Sequence, residues 1–225
     1  MPRAAIAYID GFNLYKGCLE GTRWRWLDLV SLMDDMAPRG CAVARVNYFT
    51  ATVDERPDTP GQSQRQDVFL RAVKAQCGER LTIQFGRFAT HPTKKRLVKP
   101  LEDGTEFVRV WDTTEKASDV NLGAHLVWDA CHGSMAVAVV VSNDSDLQTP
   151  VDMAMRCGTV VVVVVNPQMI DRRSGGRIRL QRPHLFGSDT RKLTVGRLRR
   201  NQLPNPLQGD EGDLIHAPTS WLPPP

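Results

Sequence analysis

Continuous apolar runs alternate along this chain with segments whose apolar residues recur at three- and four-residue spacing. The first run, Ala4-Ala5-Ile6-Ala7-Tyr8-Ile9, predicts a strand buried on both faces, and it ends on Asp10. Trp26, Leu29, Val30, Leu32, Met33 and Met36 carry a helical stripe, which Pro38-Arg39-Gly40 stops. Residues 43–50 read as a second strand and 54–61 as a loop. A helix carrying Val68, Phe69, Ala72, Val73 and Ala75 then runs to Gly78, and residues 81–88 read as a third strand.

The stretch 89–105 is basic, lacks a buried helical stripe and is broken by Pro92, Pro100 and Gly104. It predicts a hairpin or excursion outside the main sheet, with residues 107–111 as a short strand entering the site. Ser118 is the expected N-cap of a helix through about Cys131. Residues 135–141, a helix from Ser145 to about Cys157, and residues 159–165 complete a βαβ unit. Near-continuous Val/Ala strands belong to parallel sheets covered on both faces. The expected fold is therefore α/β, a three-layer sandwich around a mainly parallel central sheet. Residues 1–168 form the expected domain and 169–203 a basic helical extension packed on it, with a possible helix around 188–198. Residues 204–225, rich in proline, read as an extended or partly mobile tail.

A hydrophobic fraction of 41% supplies a real core and argues against wholesale disorder. The five cysteines are widely spaced and form no CxxC, so neither a disulfide framework nor a zinc cluster is expected. The valine run 160–165 is too short to span a bilayer, and the N-terminus lacks a charged segment followed by a long apolar one. The reading is a reduced, cytoplasmic protein without a membrane segment.

Charge changes the picture further. The net charge is +4 and the pI about 8.9, a balance that permits nucleic acid as a partner without requiring it. The cations fall into three groups: Arg87, Lys94, Lys95, Arg96 and Lys99; Arg172, Arg173, Arg177, Arg179 and Arg182; and Arg191, Lys192, Arg197, Arg199 and Arg200. Each alone suits a solvated face, whereas three beside an acidic site suit a phosphate backbone.

Acids do recur where α/β sheets place their chemistry, at strand ends. Asp10 follows the first strand, Asp144 and Asp146 follow the run ending at Val141, and Asp119 falls in the first turn of a helix. Taken singly, each suits a turn or a cap. Together, in a basic chain, they suggest a site for a hard divalent cation, Mg²⁺ or Mn²⁺, facing an anionic substrate. Asn13, Ser142 and Asn143 can hydrogen-bond water or phosphate, and Lys116 can neutralise phosphate charge or simply face solvent. His125 lies on the helix of Asp119, as a substrate contact or a structural histidine. No glycine-rich dinucleotide loop, GxxxxGK[ST] or GxSxG is present, and Asp10 has no aspartate two residues later.

Three segments carry a resemblance: Tyr8-Ile9-Asp10-Gly11-Phe12-Asn13-Leu14-Tyr15, Glu115-Lys116-Ala117-Ser118-Asp119-Val120-Asn121-Leu122, and Val141-Ser142-Asn143-Asp144-Ser145-Asp146-Leu147. In this order and these contexts the chain resembles the NYN domain family, a branch of the PIN-like nucleases that includes the LabA/DUF88 group. The resemblance implies a Rossmann-like PIN fold and a metal-dependent ribonuclease site formed by Asp10, Asp119, Asp144 and Asp146, with Asn13 in the opening motif and Lys116 before the second acid. His125 stands where many members have another acid, and Asn143 where they often have glycine.

The leading expectation is a Mg²⁺- or Mn²⁺-dependent endoribonuclease acting on single-stranded or locally open RNA. It would leave 5′-phosphate and 3′-hydroxyl ends, with Lys94, Lys95, Arg96, Arg172 and Arg173 guiding the backbone. Trp111 and Phe12 are candidates for base stacking or core packing. A nucleic-acid-binding regulatory module with little turnover and a metal-dependent small-molecule phosphatase are the alternatives. A homodimer is compatible with the sequence, but no segment specifies its interface.

Overall fold

The computed structural model describes residues 2–53, 55, 59–158, 160–167 and 187–222, apart from the side chains of residues 88–90, 113–116 and 158. Among these residues the frame is a seven-stranded sheet. The strands are β1 (Arg3–Asp10), β2 (Cys41–Ala51), β3 (Leu81–Arg96), β4 (Phe107–Lys116), β5 (Val137–Val141), β6 (Val161–Pro167) and β7 (Asp189–Leu193), in the order β4-β3-β2-β1-β5-β6-β7. All neighbours pair in parallel except β3 and β4. The fold is thus mixed α/β with a mainly parallel central sheet, as the apolar runs predict. Every residue of β5 is buried, as expected of a strand covered on both sides.

Helices cover the two faces. On one lie α2 (Leu29–Met36), α3 (Gln62–Cys77) and α6 (Val195–Arg200). On the other lie α4 (Ser118–Cys131) and α5 (Gln148–Gly158), through Leu122, Leu126, Val151 and Ala154. A short helix, α1 (Gly11–Leu14), and a π-helical turn over Tyr15–Leu19 follow β1 directly. Buried Asp129 anchors α4 to the sheet by accepting hydrogen bonds from Tyr8 Oη at 2.7 Å and from Arg45 at 2.6 Å. Burial and this acidic neighbour together push the Tyr8 hydroxyl's pKa far up, so it stays a donor.

Three elements depart from the sequence reading. Residues 189–193 form an edge strand rather than the start of a helix, which begins only after the Thr194 cap. Ser118 is the first helical residue and not the N-cap, which is Ala117 in the left-handed region at φ 77°. Residues 204–222 are folded onto the domain: β8 (Leu207–Gln208) and β9 (Leu214–Ile215) pair, and Leu207, Ile215, Ala217 and Trp221 enter the core.

The predicted excursion is an antiparallel ribbon. Only residues 81–86 of β3 pair with β2; residues 87–96 run on beyond β2 and pair with β4 alone. The third basic cluster is partly structural. Arg191 and Arg197 donate to the main-chain carbonyls of Met36 and Asp35, and Arg200 pairs with the Asp35 carboxylate, so these cations cap the C-terminus of α2.

Candidate active site

Chain order reverses between β1 and β5: strands β1 to β4 progress one way across the sheet and β5 to β7 the other. Open α/β sheets form a crevice at such a point, beyond the carboxyl ends of the strands. Asp10 ends β1 there and the segment 142–146 leaves β5.

A chain of hydrogen bonds ties these segments together. Asp10 is buried; its Oδ1 caps α1 by accepting from the Asn13 N–H at 2.8 Å, and its Oδ2 accepts from Ser142 Oγ at 3.0 Å. Asn13 Oδ1 accepts from the Asn143 N–H at 3.0 Å. Ser142 Oγ accepts from the Asp144 N–H at 3.1 Å, and Asp144 Oδ1 from the Asp146 N–H at 3.0 Å. Asp10 and Asp144 are therefore caps, and an ionised carboxylate can accept at up to about four lone-pair positions.

Asp119, in the first turn of α4, belongs to the same electrostatic unit. Its side chain reaches solvent, but partial burial, with Asp144 and Asp146 nearby, raises its pKa above the ordinary 3.8. Ionised Asp119 consequently opposes folding. That penalty is absent below the ordinary carboxylate range and grows as pH rises through the raised value. Asp119→Asn should therefore raise Tm at neutral pH in metal-free buffer, with the gain disappearing on acidification. Melting curves from about pH 3 to about pH 8 check this; a gain that persists at the acid end contradicts it.

Gly11 makes the close approach possible. A Cβ here would lie 2.7 Å from the Phe49 carbonyl oxygen and 2.8 Å from the Tyr48 ring. Gly11→Ala should destabilise by about 1–3 kcal/mol through overpacking, measured by urea unfolding. An unchanged midpoint would show that β2 yields freely.

The structure thus brings together Asp10, Asn13, Asp119, Ser142, Asn143, Asp144 and Asp146. Lys94, Lys95 and Arg96 lie on the outer ribbon instead, because β3 continues beyond its pairing with β2. Lys116 is the last residue of β4, its side chain outside the described part; Arg172 and Arg173, with the rest of their cluster, lie outside the described residues. Half-buried His125 stacks at a tilt on Phe49, ring centroids 5.7 Å apart, which gives it a packing role. Arg109 escaped the sequence reading, although Phe107, Arg109 and Trp111 alternate at strand period.

Among the described residues no group of three or more His, Cys, Asp or Glu side chains is disposed to hold a metal ion. The donor set still suits a hard cation: every candidate ligand is a carboxylate oxygen, and Asp119, Asp144 and Asp146 crowd negative charge. Mg²⁺ commonly keeps several waters and uses only one or two carboxylates.

No family model matches the chain. The 6-hydroxy-3-succinoylpyridine 3-monooxygenase HspA of Pseudomonas putida is 28% identical over 98% of this chain and 76% of its own length. The crystal structure of a protein of unknown function from Vibrio parahaemolyticus covers 86% of this chain and 94% of its own, at 17% identity and a TM-score of 0.49.

Proposed function

We propose that this protein is a divalent-metal-dependent endoribonuclease. One observation carries the reading: at the topological switch point Asp10 is tied through Ser142 to the turn after β5, and Asp119, at the start of α4, feels Asp144 and Asp146 of that turn. Asp10, Asp119 and Asp144 would hold Mg²⁺ or Mn²⁺, which supplies Lewis-acid polarisation of the phosphodiester and a nucleophilic water when bound.

The chain's own groups do the rest. Asp146 orients the attacking water and accepts its proton. Asn13, its Oδ1 committed to Asn143, presents its amide N–H groups to a phosphate oxygen. The Asp10–Ser142–Asp144 hydrogen bonds hold the acidic turn against β1. Attack of water on phosphorus breaks the P–O3′ bond, and the departing 3′ oxygen takes a proton from solvent water, giving 5′-phosphate and 3′-hydroxyl ends. End-group analysis of fragments from labelled single-stranded RNA, produced with Mn²⁺ or Mg²⁺ and not with EDTA, tests the mechanism. Fragments ending in 2′,3′-cyclic phosphate would sink it, because water would then not be the nucleophile.

The relative named as a monooxygenase, similar over nearly the whole chain, motivates a second reading. An oxygenase of that kind would consume O₂ and a reductant in the presence of 6-hydroxy-3-succinoylpyridine. Oxygen uptake with that compound, alongside no RNA cleavage, would favour the second reading over the first.

A further inference from the structure

The ribbon formed by the outer parts of β3 and β4 has two chemically different faces. Residues directly opposite in an antiparallel pair share a face, and every second residue returns to it. Arg96 lies opposite Phe107, Lys94 opposite Arg109 and Pro92 opposite Trp111. These six residues comprise three cations, two aromatic rings, a proline and no acid. The other face is partly neutralised by a 2.8 Å ion pair between Lys95 and Asp112.

The rings on the first face are not core residues. Trp111 is 74% exposed and Phe107 44% exposed. Lys94 Nζ lies over the Phe107 ring, 4.8 Å from its centroid. Arg96 has a loose 3.4 Å contact with Glu106. Register links this face to the acidic site. Asp10 pairs with Phe49 and Phe49 with Gln84; counting by twos along β3 from Gln84 reaches Pro92, Lys94 and Arg96. At the other end, β4 delivers the chain to α4 and Asp119. About 17 Å of strand separates Trp111 from Lys116.

We propose that this ribbon face binds single-stranded RNA, Trp111 and Phe107 stacking on bases while Lys94, Arg96 and Arg109 meet phosphates; the inference rests on the nuclease reading above. Cations interleaved with exposed rings complement a flexible polyanion that carries flat, unstacked bases. A duplex hides its base faces. A second copy docking through the same face would oppose like charges in a two-fold contact.

The test is fluorescence anisotropy of full-length protein with a labelled single-stranded oligoadenylate in EDTA, where binding is read without metal-dependent cleavage. Trp111→Ala should raise Kd roughly 5- to 150-fold, and Trp111→Phe should restore most of the affinity. Arg109→Gln should flatten the slope of log K against log salt by about 0.7. Unchanged affinity in Trp111→Ala overturns the proposal, as does a variant whose altered property is self-association by sedimentation velocity while RNA affinity stays the same. Asp144→Asn separates the two ideas. Cleavage lost in that variant with binding indifferent to Trp111 leaves the nuclease and removes the ribbon; weakened binding in Trp111→Ala without cleavage by the wild type does the reverse.

Discussion

Asp144→Asn should lower RNA cleavage by about 10²- to 10⁴-fold, the range for losing a positioned group that acts on the reacting centre, while leaving RNA affinity nearly unchanged. The substitution is clean because the asparagine Oδ1 can still accept from the Asp146 N–H, and the Asp144 N–H can still donate to Ser142. It removes charge and ligand capacity and keeps the turn. Asp10→Asn lacks that virtue. Both Asp10 oxygens accept hydrogen bonds, one from the Asn13 N–H and one from Ser142 Oγ, and an amide offers only one acceptor oxygen. Its expected stability cost of about 1–3 kcal/mol would confuse lost chemistry with lost structure. Matched melting curves beside single-turnover cleavage distinguish the two variants. Wild-type cleavage rates in Asp144→Asn would remove Asp144 from the mechanism.

Trp221→Ala should destabilise the whole protein by about 3–5 kcal/mol, the range for truncating a buried aromatic. Trp221 packs edge-on against Trp26, ring centroids 6.4 Å apart, lies 6.1 Å from Phe69, and carries Arg25 over its ring. It therefore joins the C-terminal segment to α3 and to the approach to α2. For a chain of this size the expected fall in Tm is on the order of 10 °C. A loosely attached tail would instead give a change within about 0.5 kcal/mol, as ordinary surface substitutions do. Thermal unfolding followed by circular dichroism separates these outcomes.

What could be read in advance follows from the range of the interactions. The runs ending at Ile9 and Val141 announce buried strands because burial on both faces leaves a continuous local pattern. Asp10 and Asp144 were legible for the same reason, as acids directly beyond those runs. β7 was not: of Asp-Thr-Arg-Lys-Leu only Leu193 is buried, so an edge strand leaves almost no apolar signature. The C-terminal segment was missed because Leu207, Ile215, Ala217 and Trp221 are spaced without period and find partners far away in sequence. Arg191, Arg197 and Arg200 looked like a phosphate-binding patch, since sequence cannot show that the C-terminal end of α2 engages them. Ser118 misled through a good capping residue placed one position late, where the chain turns at Ala117.

An acidic site at the switch point that hydrolyses RNA with a divalent ion makes cleavage depend on both Asp144 and the metal. Cleavage of labelled single-stranded RNA by wild type and Asp144→Asn, purified in parallel, is measured across a Mn²⁺ titration begun in EDTA. Cleavage should rise and saturate with Mn²⁺ in the wild type and be nearly absent from the variant at every concentration. Equal cleavage by both proteins, or wild-type cleavage indifferent to Mn²⁺ and EDTA, would contradict it.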